Sequence, residues 1–185
     1  MIMSFNKMIS DTCVRVGPVR FSYANVFTPR NNEDGTPGKY GVCIVFPKSD
    51  KETYEVLHKA YQNAVALGKV NKWNGKVPAK VQFPLHDGDD ERPDDPTFQN
   101  CWYFNANSKT KPGIRVREAG MVVEALDEGD FYSGCYGAAT VNLYAYSNNG
   151  NVGVAFGLNN VIKTEDGEHL GGARSADADF GDMAM

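Results

Sequence analysis

Apolar and polar residues alternate along several short segments of the chain, as they do in β-strands that bury one face. Between residues 134 and 146 the alternation separates a small apolar face from a polar face that carries rings: Cys135, Ala139, Val141 and Leu143 against Tyr136, Thr140, Asn142, Tyr144 and Tyr146. An Asn-Asn-Gly turn at 148–150 leads into a second alternating segment at 152–158, which predicts a β-hairpin. Residues 12–28 predict strands, and residues 39–46 predict a strand that is apolar on both faces and therefore buried.

One helix is predicted among these strands. Ser49 and Glu52 have the spacing of a capping box, and Gly68 is the expected C-terminal stop. Between them runs an apolar stripe at helical spacing, formed by Tyr54, Leu57, Tyr61 and Ala64. Residues 98–116 predict a strand pair or hairpin around the polar segment 107–113.

Many short strands with one inserted amphipathic helix predict a mainly β fold, and a closed OB-type barrel is the best match. We assign residues 1–170 to this single domain. Residues 171–185 are predicted to form a flexible acidic tail, because they offer too little apolar surface to offset the entropy lost on ordering.

Charge is distributed unevenly around the formal net value of −4. Residues 1–84 carry a net charge of +6 and residues 96–163 are neutral, whereas 85–95 and 164–185 each carry −5. A polyanionic ligand is therefore compatible with the acidic average. The chain shows no long apolar run and no secretory signal pattern, so we expect no membrane span and a cytoplasmic location. It has no phosphate-binding glycine loop either, and we expect no cofactor.

Aromatic and basic residues form the main candidate binding set. Rings beside spaced cations suit single-stranded DNA, because stacking contributes about 1–3 kcal/mol per base without reading sequence and cations contact the phosphates. The candidate stacking residues are Trp102, Tyr136, Tyr144 and Tyr146, and the candidate phosphate contacts are Arg20, Lys109, Lys111 and Arg115. The same rings would also serve to close the ends of a barrel, and alternation alone does not separate the two roles.

The end of the chain combines carboxylates with one ring: Asp177, Asp179, Phe180 and Asp182. Such a tail imitates a nucleic-acid strand and is expected to compete for the DNA groove of its own domain. It is also suited to contact other proteins. Because a tethered ligand has a millimolar effective concentration, even weak affinity is enough for occupancy.

A second acidic segment suggests an alternative function. Residues 87–95 contain six carboxylates beside His86, which raises the hypothesis of a divalent-metal-dependent nuclease. Pro93 interrupts this segment and Pro96 follows it directly, so a rigid metal cage is not expected. We therefore predict no bound metal and no enzymatic activity, and keep the nuclease as the alternative.

Several runs of residues resemble a family of bacteriophage single-stranded DNA-binding proteins that was long described only as a domain of unknown function. They are PLHDGDDERPDDP at 84–96, WYFNANSKTKPG at 102–113, YSGCY at 132–136, NLYAYSNNG at 142–150 and GVAFGLNNV at 153–161. The order and spacing of these runs extend the resemblance from about Arg20 to the acidic end.

The resemblance implies an OB-fold that coats single strands during phage replication and recombination, similar to the replication proteins of podophages. It also implies a tail that contacts phage or host replication and recombination proteins. The expected location is then the cytoplasm of the infected bacterium. The sequence does not determine the oligomeric state and is compatible with a homo-oligomer.

Overall fold

The computed structural model describes residues 3–171 and 180–184. Its strands are β1 (Lys7–Met8), β2 (Cys13–Asn25), β3 (Tyr40–Pro47), β4 (His86–Asp87), β5 (Cys101–Ser108), β6 (Gly113–Glu118), β7 (Met121–Glu124), β8 (Tyr136–Asn148) and β9 (Asn151–Glu165). Helix α1 spans Lys51–Asn71, helix α2 spans Gly88–Glu91, and 3-10 turns lie at Pro96–Phe98 and Gly181–Met183. The prediction of a mainly β fold with one long inserted helix is confirmed. Among the described residues, no helix is long and apolar enough to cross a bilayer.

Five strands follow one another in a ring of backbone pairings. Strand β2 pairs antiparallel with β3 and β8, β3 with β5, and β8 with β9. Strand β9 returns to β5 through a short parallel pairing, in which Ala106 lies opposite Phe156 and Asn107 lies opposite Gly157. This order is OB-like, with β6 and β7 added beyond β9 and β4 added beyond β5.

The hairpin predicted for residues 98–116 is wrong, although both of its strands exist. Strand β5 pairs with β3, whereas β6 pairs with β7 and β9. Both β5 and β6 run parallel to β9, at residues 156–157 and 160–163 respectively. The chain therefore continues in one direction along β9 after β5 and does not fold back on itself.

The core confirms the faces that the alternation predicts in β8. Cys135, Ala139, Val141 and Leu143 are all buried in the main apolar cluster. A smaller cluster, made of Cys43, Val45, Phe98 and Tyr103, covers part of the outer face of β3 and β5. Apolar residues on both sides of β3 are thus buried, as its continuous apolar run predicts.

Helix α1 begins and ends differently from the prediction. Asp50, not Ser49, caps the helix, and its Oδ1 accepts a hydrogen bond of 3.1 Å from the Thr53 backbone N–H. Gly68 lies inside the helix, where a Cβ would collide with the Cβ of Ala145 on β8. The glycine permits close packing of helix on strand, and the helix continues to Asn71.

Candidate nucleic-acid interface

An open groove of about 1250 Å³ crosses the outer face of β3 and β5. Its floor is formed by the part of this face that the smaller apolar cluster leaves uncovered, including Gly41, Asn105 and Asn107. Its wall includes the 30–39 part of the loop between β2 and β3. Four cations line the groove together with one carboxylate, Glu33; the cations are Arg30, Lys39, Arg92 and Lys109. The groove therefore favours an anionic ligand.

Backbone hydrogen bonds between the two ends of segment 30–39 hold the wall of the groove in place. Arg30 N–H donates to the carbonyl of Lys39 at 3.0 Å, and Gly38 N–H donates to the carbonyl of Arg30 at 2.8 Å. On the floor, a Cβ at Gly41 would collide with Oδ1 of Asn107 on the paired strand. Small residues at both places let the backbone and the amide side chains approach closely.

Tyr23 presents an exposed ring at the edge of the groove. The residue has a left-handed φ of 47°, and 55% of it is exposed to solvent. It lies where the β2–β3 register shifts between Ser22 and Asn25. Such irregularities re-aim a side chain, and backbone strain of this kind concentrates at functional sites.

Arg92 contacts Tyr23 through both the ring and the hydroxyl of the tyrosine. Its guanidinium carbon lies 5.3 Å from the ring centre of Tyr23, 5.3 Å from that of Tyr103 and 4.9 Å from that of Phe98. Its Nη1 also donates to the Tyr23 hydroxyl at 3.0 Å. The result is a fixed cation beside an exposed ring, both facing the groove.

The acidic segment 87–95 supports Arg92. Lys48 Nζ lies 2.7 Å from Oδ1 of Asp87 and 2.8 Å from Oδ2 of Asp89. The Lys48 hydrogen bonds are the main reason why the pKa of each aspartate is lowered. Asp89 also accepts a hydrogen bond of 2.9 Å from the Asn100 N–H. These carboxylates therefore fasten helix α2 to the body of the domain.

A second set of contacts follows directly in this segment. Glu91 accepts a hydrogen bond of 2.8 Å from the Tyr103 hydroxyl and lies 2.8 Å from His86 Nδ1. The pKa of Glu91 is lowered, first by the hydrogen bond with His86 and then by the one with Tyr103. Within residues 3–171 and 180–184, no group of three potential ligands is arranged to hold a metal ion.

Tyr144 and Tyr146 lie on the outer face of the β8–β9 hairpin and are 43% and 36% exposed. A Cβ on Gly153 would lie 2.7 Å from the Tyr146 hydroxyl, and one on Gly157 would lie 3.5 Å from the Tyr144 ring. The two glycines thus leave room for the rings. We call these two tyrosines and two glycines the tyrosine face.

The tyrosine face is continuous with the groove. Gly157, which underlies Tyr144, is the pairing partner of Asn107 on the groove floor. Phe156 and Ala106, the preceding pair, point into the core. Because side chains alternate along a strand, Asn107 and Gly157 share the outer face. One surface therefore leads from Tyr23 and Arg92 to the two tyrosines.

Other predicted stacking residues lie away from this surface. Tyr136 stands at the opposite end of β8, about 33 Å along the strand from Tyr146, where Arg20 covers its ring at 5.2 Å. Arg20 itself donates to the carbonyls of Gly134 and Glu168 at 3.2 and 3.1 Å. Arg20 and Tyr136 thus contact each other, but neither lines the groove.

Trp102 points to the inner side of β5 and is half-buried against the main core. Its ring lies 5.7 Å from that of Tyr54 on α1, and Lys48 Nζ lies 5.0 Å from its centre. Because Trp102 and Tyr103 occupy opposite faces of the strand, the structure does not bring Trp102 together with the tyrosine face.

The predicted cations are dispersed as well. Lys109 lines the groove. The ammonium of Lys111 lies 5.4 Å from the ring centre of Phe27. Arg115 is exposed on β6 opposite Glu124 and donates to the carbonyl of Ile114 at 3.1 Å.

Most of the tail prediction falls outside the described residues. Asp177 and Asp179 are not among them. Phe180 is 62% exposed, and Asp182 lies in the exposed 3-10 turn at Gly181–Met183.

Sequence reasoning missed most residues that line the groove: Tyr23, Arg30, Lys39, Arg92, Asn105 and Asn107. The alternation of β5 could have indicated Asn105 and Asn107, because these polar residues lie on the same face of the strand as Tyr103. For Arg92 the signal was a single cation inside an acidic run.

Known proteins match this chain over nearly its whole length. A family model described as the single-stranded DNA-binding protein of Enterobacter phage Enc34 matches residues 12–185. A putative protein p50 from Acyrthosiphon pisum secondary endosymbiont phage 1 is 28% identical over 182 residues, which cover 93% of this chain and 94% of the relative.

Solved structures agree with this relationship. The single-stranded DNA-binding protein of bacteriophage Enc34, in complex with single-stranded DNA, superposes with a TM-score of 0.69 at 26% identity and covers 89% of this chain and 96% of its own. The single-stranded DNA-binding protein gp2.5 of bacteriophage T7 shares the fold, with a TM-score of 0.53 at 16% identity and coverage of 97% and 96%. The chain therefore belongs to the family of phage single-stranded DNA-binding proteins represented by that of Enterobacter phage Enc34.

Proposed function

We propose that this protein binds and coats single-stranded DNA, without regard to base sequence, during phage DNA replication and recombination. One observation carries the proposal above the others: the Asn107–Gly157 pairing places a cation-lined groove and a pair of exposed tyrosines on the same outer face of the sheet. The family membership and the DNA-bound relative support the same ligand.

The groove residues suit a strand of any sequence. Arg30, Lys39 and Lys109 are placed to contact phosphates, which repeat along every strand. Tyr23, Tyr144 and Tyr146 offer ring faces, and every base has a face on which to stack. Asn105 and Asn107 add amides that both donate and accept hydrogen bonds. None of these contacts requires a particular base edge.

The remaining parts of the proposal concern the whole chain. We take the ring of five paired strands to be a closed OB-type barrel within a domain of residues 1–170, followed by the acidic tail at 171–185. The tail is proposed to compete for the groove and to contact phage or host replication proteins. The protein would act without cofactor or catalysis in the cytoplasm of the infected bacterium, as a monomer or a homo-oligomer.

A titration tests the binding proposal directly. Single- and double-stranded oligonucleotides are titrated at two salt concentrations and followed by fluorescence anisotropy. We expect preference for the single strand, similar affinity for dT and mixed sequences, and a loss of affinity with salt at a slope of about −0.7 per phosphate contact. Absence of binding would contradict the proposal, and Mg²⁺-dependent cleavage of the DNA would favour the nuclease instead.

A further inference from the structure

Helix α1 from Val56 onward and the segment after it carry a charge pattern that the groove does not use. Residues 56–86 contain five lysines and no aspartate or glutamate. Four of these lysines, Lys69, Lys72, Lys76 and Lys80, fall within residues 69–80, and all four are exposed. We call residues 69–80 the lysine loop. These clustered positive charges create a positive electrostatic potential at the surface, which attracts anions.

The lysine loop is fastened to the β8–β9 hairpin, next to the tyrosine face. The buried Trp73 donates its indole N–H to the carbonyl of Tyr146 at 3.2 Å. Lys80 Nζ donates to the carbonyl of Gly150 at the hairpin tip at 3.1 Å. Pairing of β2 with β8 ends at Asn142, so the loop follows the free edge of β8 beyond that residue.

The cations of the loop are not neutralised by salt bridges among the described residues. In the part of the chain that the structure describes, Lys69, Lys72, Lys76 and Lys80 form no ion pair with a carboxylate. Like charges held close together repel each other, and a bound polyanion removes this repulsion.

We propose that the lysine loop is a second phosphate-binding surface, which receives the single strand after it has crossed the tyrosine face. The inference rests on the proposed function. It follows from the contacts: the groove floor pairs with Gly157, Gly157 underlies Tyr144, and the Tyr146 carbonyl binds Trp73 of the loop. A strand long enough to leave the groove along this face meets the lysines next.

The test compares two double variants on two lengths of DNA. Lys72→Ala with Lys76→Ala removes two loop charges that make no described hydrogen bond, whereas Lys51→Ala with Lys59→Ala removes two exposed charges from the first half of the same helix. Both are titrated with dT oligonucleotides of about 8 and about 24 nucleotides, the first within and the second beyond the site size of about 4–16 nucleotides for one OB fold. Thermal unfolding followed by circular dichroism verifies that both variants are folded.

We expect the loop variant to bind the longer oligonucleotide more weakly, with a salt slope shallower by about 1.4, or about 0.7 for each lysine. Parent and variant then differ about sevenfold more at about 50 mM than at about 200 mM salt. The shorter oligonucleotide and the helix control are expected to show the parent's affinity within about twofold.

The outcomes separate the two proposals. If the loop variant binds the longer DNA as the parent does, or if both lengths weaken equally, the second surface is refuted while binding in the groove stands. If the parent binds neither length, the proposed function fails along with it. A loop variant that binds DNA normally but loses a replication protein assigns the lysines to a protein partner, which also overturns the inference.

Discussion

Tyr23 and the tyrosine face expose rings to solvent by opposite means. Tyr23 is held in a left-handed backbone conformation and fixed by a guanidinium and a hydrogen bond. Tyr144 and Tyr146 lie over glycines on a regular hairpin, where space is made by the absence of side chains. The Tyr23 ring is therefore held by side-chain contacts, whereas the rings of Tyr144 and Tyr146 lie over glycines that leave space around them. A preorganised ring loses less freedom when a base stacks on it, so the two should differ in what they contribute.

The largest effect is expected for Tyr23→Ala, because it removes a stacking ring and the partner that fixes Arg92. We expect a loss of about 2–3 kcal/mol in binding single-stranded DNA, or roughly 30- to 140-fold. Tyr23→Phe is the matched control, since it keeps the ring and removes the hydroxyl that bonds to Arg92. Equal affinity of the Ala variant and the parent would remove Tyr23 from the site.

Tyr144→Ala is expected to cost less, about 1–2 kcal/mol in the same assay, because its ring is less firmly held. Tyr136→Ala, at the far end of β8, provides the comparison. If both substitutions weaken binding equally, the row of tyrosines along β8 predicted from the sequence is the better description of the site. If only Tyr144→Ala does so, the groove and tyrosine face are.

Deletion of residues 174–185 tests whether the acidic tail competes with DNA for these rings. We expect the truncated protein to bind DNA a few-fold more tightly at low salt and to bind replication proteins less well. At high salt the difference should shrink, because the competition is largely electrostatic. Equal or weaker DNA affinity after truncation would contradict competition.

The smallest effect is expected for the Lys48 bridges to Asp87 and Asp89, whose contribution to folding stability depends on pH. The carboxyl pKa values of Asp87 and Asp89 are lowered from an ordinary 3.8, mainly by hydrogen bonds from Lys48. Their contribution to stability is therefore complete above about pH 5 and is lost as the pH falls through the lower folded values. Urea unfolding at several pH values should show this loss in the parent. Lys48→Met should reduce it, and an unchanged acid profile in that variant would contradict the role of the Lys48 bridges.

The sequence predicts well what depends on residues close together in the chain. The two faces of β8, the hairpin to β9 and the buried strand β3 all follow from alternation, because each strand carries its own pattern. The mainly β fold and its inserted helix could be inferred from these elements together.

The features that the sequence does not predict depend on contacts between residues far apart in the chain. The predicted β5–β6 hairpin is wrong because both strands pair with residues of β9 that lie 47 to 50 positions further along the chain. Gly68 resembles a helix stop, and only its contact with Ala145 shows why it lies inside the helix. Tyr23 has no sequence signal for its bulge and left-handed backbone. Arg92 is a single cation in an acidic run, and only the folded chain brings it beside Tyr23 in the groove.

The parallel contact between β5 and β9 joins strands through two residue pairs, whereas β8 and β9 pair over thirteen. A seam this short is the easiest place for the strands to part, so its amide protons should exchange with deuterium sooner than those of the β8–β9 ladder. A strand of DNA lying across Asn107 and Gly157 would bridge the seam from outside. Binding would then slow amide exchange at this pairing, and the DNA would stabilise the contact between β5 and β9.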